Sequence, residues 1–184
     1  MRRFLLAFVL LAPGLPAADP VAAMARAKLN LIKEGKAASG SVFVFTPAEV
    51  NAWVREELAE EQSGIRETKI TFGDGTLAFE ALVDLRKLAD KKSEMNVLMA
   101  KLLEGERPVK MALRPESSAG RLTLHMTSVE ISGVPLSGVV LDLLAGFVIR
   151  HLYDDAKINE PFDMDHNIDH ATLEPAALRV YIKK

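Results

Sequence analysis

The run from Val139 to Leu152 constrains this chain most. Val139, Val140, Leu141, Leu143, Leu144, Phe147, Val148, Ile149 and Leu152 are apolar, and at helical spacing they cover nearly the whole circumference. Asp142, Arg150 and His151 are the main polar interruptions. A helix that is apolar all round has to be enclosed. At roughly fifteen residues it is shorter than the about twenty needed to cross a bilayer. The remaining segments must therefore supply the enclosure.

Most of them read as strands with one apolar face. Thr68, Ile70 and Phe72 share one side of a strand, with Glu67, Lys69 and Thr71 opposite. Gly73-Asp74-Gly75 is a tight-turn signal, and Leu77, Phe79, Ala81 and Val83 then alternate with polar residues, so the two strands are predicted to pair as a hairpin. Val109, Met111 and Leu113 alternate with Lys110 and Arg114, and Glu116–Gly120 is expected to turn the chain. Leu122, Leu124 and Met126 follow on one parity, but Val129 and Ile131 sit on the other. The slip at Thr127-Ser128 predicts a β-bulge, which bends a strand and re-aims its faces. Ser132-Gly133-Val134-Pro135 turns the chain, Pro161-Phe162 follows a polar loop, and Ile168–Leu173 and Ala177–Ile182 flank a last turn.

Helices are predicted at Val21–Lys36, after Thr46, and within Arg86–Glu104. The second carries the clearest local signal in the chain. Thr46 caps it, Pro47 suits its first position, and Glu49 three residues on completes a capping box. Val50, Trp53, Val54 and Leu58 then line one face, and Glu56, Glu57, Glu60 and Glu61 the other. One-sided strands grouped with helices predict an α+β domain, a curved antiparallel sheet wrapped around apolar helices. No repeat or linker divides residues 19–184, so a single domain is expected.

Residues 1–18 read as an export signal. Arg2 and Arg3 precede the apolar run Phe4–Ala12, and cleavage is expected near Ala17 or Ala18. The apolar run is short for an uncleaved anchor. The chain has no cysteine, so an exported form is held by its core alone, in the periplasm or outside the cell, and a bacterial envelope suits that best. Losing Arg2 and Arg3 takes the net charge from −2 to −4, and no basic patch points to nucleic acid.

Several short motifs together resemble a known family. They are Thr-Pro-Ala-Glu-Val-Asn-Ala-Trp at Thr46–Trp53, the Ile70–Asp84 hairpin ending in Val83-Asp84-Leu85, Val-Glu-Ile-Ser-Gly-Val-Pro-Leu at Val129–Leu136 leading into the apolar helix, and Pro161-Phe162 before a final hairpin. The pattern resembles bacterial secreted relatives of the tubular lipid-binding superfamily, whose members include synaptotagmin-like mitochondrial lipid-binding modules and envelope phospholipid-binding proteins. The segment Asp163–Ile168 is more polar than that pattern. The resemblance implies a curved sheet around a long helix, an apolar channel for a lipid or fatty acyl chain, and transient contact with a membrane surface. The residues expected to line such a groove are Trp53, Val54, Leu77, Phe79, Val83, Met111, Leu113, Leu122, Leu124, Met126, Leu136, Val140, Leu144, Phe147 and Val148. An acyl chain needs a long apolar groove with few polar groups, and methionines adapt to variable ligands. The rival reading is an interaction or scaffold module whose interior is wholly filled by its own side chains. No cofactor is called for, and the protein partner stays open.

Sites for chemistry are sparse. Asp163, Asp165, His166, Asp169 and His170 form the densest cluster of possible metal ligands, and mixed carboxylate and imidazole donors would suit zinc or manganese in a metal-dependent hydrolase. The helical zinc motif needs a Glu beside its first His, where Asn167 stands, and Pro161 and Pro175 flank the run. A solvated loop or the outer face of a strand explains it better. His151 with Asp154 and Asp155 reads as a helix-terminal cap rather than an acid–base pair. Ser41, Ser132 and Ser137 lack a nucleophile elbow. A non-enzymatic protein is the expectation.

Overall fold

A computed structural model of the chain describes residues 19–58, 64–84, 105–136 and 159–184. The export signal expected at residues 1–18 and the helices expected within Arg86–Glu104 and at Gly138–Leu152 lie outside these residues, as do the groove candidates Val140, Leu144, Phe147 and Val148.

Helix α1 (Pro20–Lys33) starts where the Asp19 carboxylate accepts the Val21 N–H at 2.9 Å, with Pro20 in the first turn. It packs on α2 (Pro47–Glu57), and Ala22, Ala25 and Ala52 are almost fully buried between them, small side chains that let two helices approach closely. The capping box predicted at Thr46 is present in both directions: Glu49 N–H donates to Thr46 Oγ1 at 3.2 Å, and Thr46 N–H to Glu49 Oε2 at 2.8 Å. Glu56, expected to face away, instead turns to α1. It pairs with Arg26 and accepts the Asp19 N–H at 3.2 Å, an orphan donor at the start of that helix.

The strands form two antiparallel sheets rather than one. The first joins the two ends of the chain: β1 (Val42–Phe45) pairs with β9 (Ala177–Ile182), which pairs with β8 (Ile168–Glu174). Its apolar face meets α1 and α2 in a cluster containing Ala25, Ile32, Phe45 and Ile182, with Val50, Trp53, Leu178 and Val180 around it. The second sheet holds β2 (Ile65–Phe72), β3 (Leu77–Asp84), β4 (Glu106–Ser118), β5 (Arg121–Ile131) and the two-residue β6 (Val134–Pro135) in that order, with β7 (Pro161–Asp163) also paired to β5.

The hairpins are tighter than the sequence suggested. Strand β4 runs on to Ser118, and only Ala119 and Gly120 turn, both left-handed at φ 50° and 77°. Ser132 and Gly133 turn β5 into β6 in the same way. Two left-handed residues twist in the same sense as the strands they join. The bulge expected at Thr127-Ser128 is present: Ala112 opposes Ser128 while Leu113 opposes Met126, which leaves Thr127 unpaired, its hydroxyl donating to Ala112 O at 3.0 Å.

The two sheets meet along the outer edge of β8. Asp169 O accepts the Gly120 N–H at 2.6 Å, and Leu173 O accepts the Gly75 N–H at 3.1 Å. Between them the Ser117 hydroxyl both accepts from Ala171 N–H and donates to Ala171 O, each at 2.8 Å. The tips of two hairpins and one side chain thus occupy an edge that would otherwise be open to another strand. On the other edge strand, β2, the Asn51 side chain does the same for Ile70, accepting its N–H at 2.7 Å and donating to its carbonyl at 2.8 Å.

Candidate functional site

The second sheet has two unlike faces. Across one, Glu80, Lys110 and Glu130 form a charged row and Arg114 opposes His125, with Glu116 two residues along on the same face. Glu116 sits 3.2 Å from both Arg114 and His125. Across the other, directly opposed residues form apolar rows: Leu77–Leu113–Met126, Phe79–Met111–Val129, and Ala81–Val109–Ile131. Directly opposed residues share a face, so one register argument places all nine together. The bulge at Thr127 makes this possible, because it returns Val129 and Ile131 to the side that Met126 occupies.

This face gathers most of the groove candidates that lie within the described residues. Leu77, Phe79, Val83, Met111, Leu113 and Met126 stand on it, and Leu136 packs against it. Leu122 and Leu124 continue the β5 parity beyond Met126, opposite Ser117 and Pro115. Trp53 does not join them; it packs in the cluster under the first sheet. Val54 is half-buried on α2. Ala81, Val109, Val129, Ile131 and Ile65 belong to the face although the sequence did not single them out as groove residues. Its middle is tightly covered, with Val129 only 1% exposed. Towards the β4–β5 hairpin Leu77, Leu113, Leu122, Leu124 and Met126 are half-buried.

The opposite end carries a group that sequence reading passed over. Arg107 opposes Val83 and so extends the apolar face by one row. Its Nε is buried with no hydrogen-bond partner, and among the described residues no ion pair involves it. A buried donor left unmade costs about 1–3 kcal/mol, more when charged. Beside it the Ser132–Gly133 turn carries Val134, opposite Ile131 and 58% exposed. The signal was present in the sequence, since Arg107 has the parity of Val109 and Met111.

The acidic-histidine run is not gathered into one cluster. His166 and Asn167 form a left-handed turn at φ 61° and 59°, not a helical face. Asp163 and Asp165 are exposed, with Arg121 3.8 Å from Asp163. His170 lies on β8, its Nδ1 2.8 Å from Asp169 Oδ2 and its ring stacked on Tyr181 at 4.2 Å. Among the described residues no three His, Asp or Glu side chains are placed to hold a metal ion.

Among the described residues one charged side chain is buried in the protein interior. Glu49 is 4% exposed. Lys28 donates to it at 2.6 Å and to Val44 O at 2.7 Å, which ties α1 to β1 and α2. Burial pushes the Glu49 carboxyl up, but the Lys28 ammonium and the Thr46 N–H and hydroxyl outweigh it and hold the carboxyl below its ordinary value. Every acceptor contact is made within the scaffold, so this is a structural device.

Among the described residues no helix is long and apolar enough to cross a membrane. No family model matches the chain, and neither a curated protein nor a solved structure matches it.

Proposed function

We propose that this chain is a non-enzymatic envelope protein that holds a lipid or other acyl-chain ligand against the apolar face of its second sheet. Residues 1–18 direct its export in this reading. The supporting observation is the sheet's two-sidedness: three complete apolar rows on one face, charged rows on the other. An acyl chain offers no polar group to satisfy and needs only such a surface. From Arg107 to Leu113 the face runs six residues of strand, about 20 Å. One extended acyl chain is about half of the roughly 30 Å hydrocarbon layer of a bilayer, so it fits within that length.

A filled interior is the second reading, and the burial of Val109, Met111, Val129 and Ile131 favours it at the centre of the face. The half-buried end distinguishes the two. Native mass spectrometry of the purified chain is expected to release phospholipid or fatty acid. Leu124→Glu is expected to keep a cooperative melt and lower lipid occupancy about tenfold, since a groove wall tolerates a charge that a packed core does not. No co-purifying lipid and no uptake of a fluorescent fatty acid would leave the filled module standing.

A further inference from the structure

We infer that two copies of this chain associate through the outward face of α1, antiparallel, about a two-fold axis level with Ala25 and Arg26. The inference is independent of the lipid-binding reading and concerns the helix packed on the first sheet.

The observation that carries it is a helix without a charged outer side. One face of α1 is buried: Ala22, Ala25 and Ile32 face α2 and the first sheet. On the other, Pro20, Ala23, Met24, Ala27, Asn30 and Leu31 are all exposed, and none is charged. At 3.6 residues per turn these six share one side of the helix. The solvent side of a surface helix ordinarily carries its charges. Here they stand on the flanks, where Arg26 pairs with Glu56 and Lys28 with Glu49. Met24 at 57% and Leu31 at 44% are exposed enough to be covered by a partner without any rearrangement of the fold.

A second copy fits this face because the face complements itself. Pro20, Met24, Ala27 and Leu31 are spaced by four, three and four, the spacing of a helix-pairing seam. Small and large side chains alternate along it. An antiparallel copy that sets Met24 level with its own Ala27 also sets Leu31 level with its own Pro20. Each large side chain then meets a small one, and the two-fold repeats both matches. The same register answers the charges. Lys33 is exposed, with no ion pair among the described residues. It falls one residue, about 1.5 Å along the axis, from the level of the copy's Asp19. Parallel pairing instead sets Met24 on Met24 and Lys33 on Lys33. The seam is about 16 Å long. One helix stripe of that length buries less than the about 800 Å² per partner of a standard interface, so the dimer is weak and forms at high concentration.

Sedimentation equilibrium of the purified chain, from about 1 to about 300 µM, tests this directly. A reversible monomer–dimer equilibrium is expected, with a dissociation constant on the order of 10–100 µM. Met24→Glu is expected to raise that constant about tenfold or more and to keep the melting temperature, because Met24 is exposed. Lys33→Glu is expected to raise it about threefold, the range of an exposed ion pair. The chain has no cysteine, so single substitutions read the register without background. Mixed Met24→Cys and Ala27→Cys chains are expected to form chiefly the mixed disulfide on mild oxidation, and Lys33→Cys none with itself. A chain that stays monomeric across the range, or a dimer indifferent to Met24→Glu, overturns the inference. A disulfide between two Lys33→Cys chains means parallel pairing and overturns the register. If Met24→Glu lowers the melting temperature, the cysteine pairs decide instead. A chain that stays monomeric, yet binds phosphatidylglycerol–phosphatidylethanolamine vesicles until Met24 is replaced by Glu, assigns the face to a membrane surface and overturns the dimer.

Discussion

Glu49 shows how one residue can serve as both cap and charge anchor. It closes the capping box of α2 and receives Lys28 from α1. Losing one partner of a buried pair leaves the other uncompensated, at a cost of about 3–5 kcal/mol when both are deep. Lys28 retains some solvent contact, so Glu49→Gln is expected to cost about 1–3 kcal/mol in urea unfolding at pH 7. Because the folded protein holds the Glu49 carboxyl below its ordinary value of 4.5, its contribution is complete above that value and is lost as the pH falls through the lower folded value. The difference in stability between Glu49→Gln and the unaltered protein should therefore shrink in acid. A difference that stays constant from pH 7 to pH 3 would contradict the ion pair. The cap itself was legible in Thr46-Pro47-Ala48-Glu49, since capping is a local matter. Its partner Lys28 was not, because nothing local connects it to a residue twenty-one positions away.

At the scale of elements, the bulge in β5 decides which side chains face the interior. Without the extra residue Thr127, Val129 and Ile131 would fall on the face occupied by Lys110 and Glu130. A chain with Thr127 deleted is expected to lose cooperative unfolding. Thr127→Ala, which keeps the residue and loses only an exposed hydrogen bond, should cost about 1 kcal/mol or less. Circular dichroism melts of the two variants separate register from side chain, and equal behaviour would count against the bulge. Alternation by twos exposed the bulge in the sequence, and the same alternation places Arg107 inward. The turn lengths were less legible. Residues Glu116–Ser118 are polar and read as loop, yet they continue β4, because Ser117 finds its partner on β8 rather than in water.

At the scale of the molecule, the two sheets are joined through the edge of β8. Ser117 satisfies both peptide groups of Ala171, so Ser117→Ala leaves a donor and an acceptor without partners. The expected cost is about 2–3 kcal/mol. Amide exchange at Ala171 should quicken well beyond that of its neighbours on β9. Unchanged exchange there would mean that the sheets are held by other contacts.

The amino-acid order alone determined the alternation of the strands, the turns at glycine, the capping box, the bulge and the one-sided distribution of charge, because each depends on residues a few positions apart. Only the tertiary structure decided that the strands divide into two sheets, that Trp53 belongs to one core and Phe79 to the other, and that the Nε of Arg107 is buried beside the apolar face without a hydrogen-bond partner. Those outcomes depend on pairings such as β1 with β9, drawn from opposite ends of the chain, and hydrogen-bonding groups carry no local mark of the distant strand that will meet them.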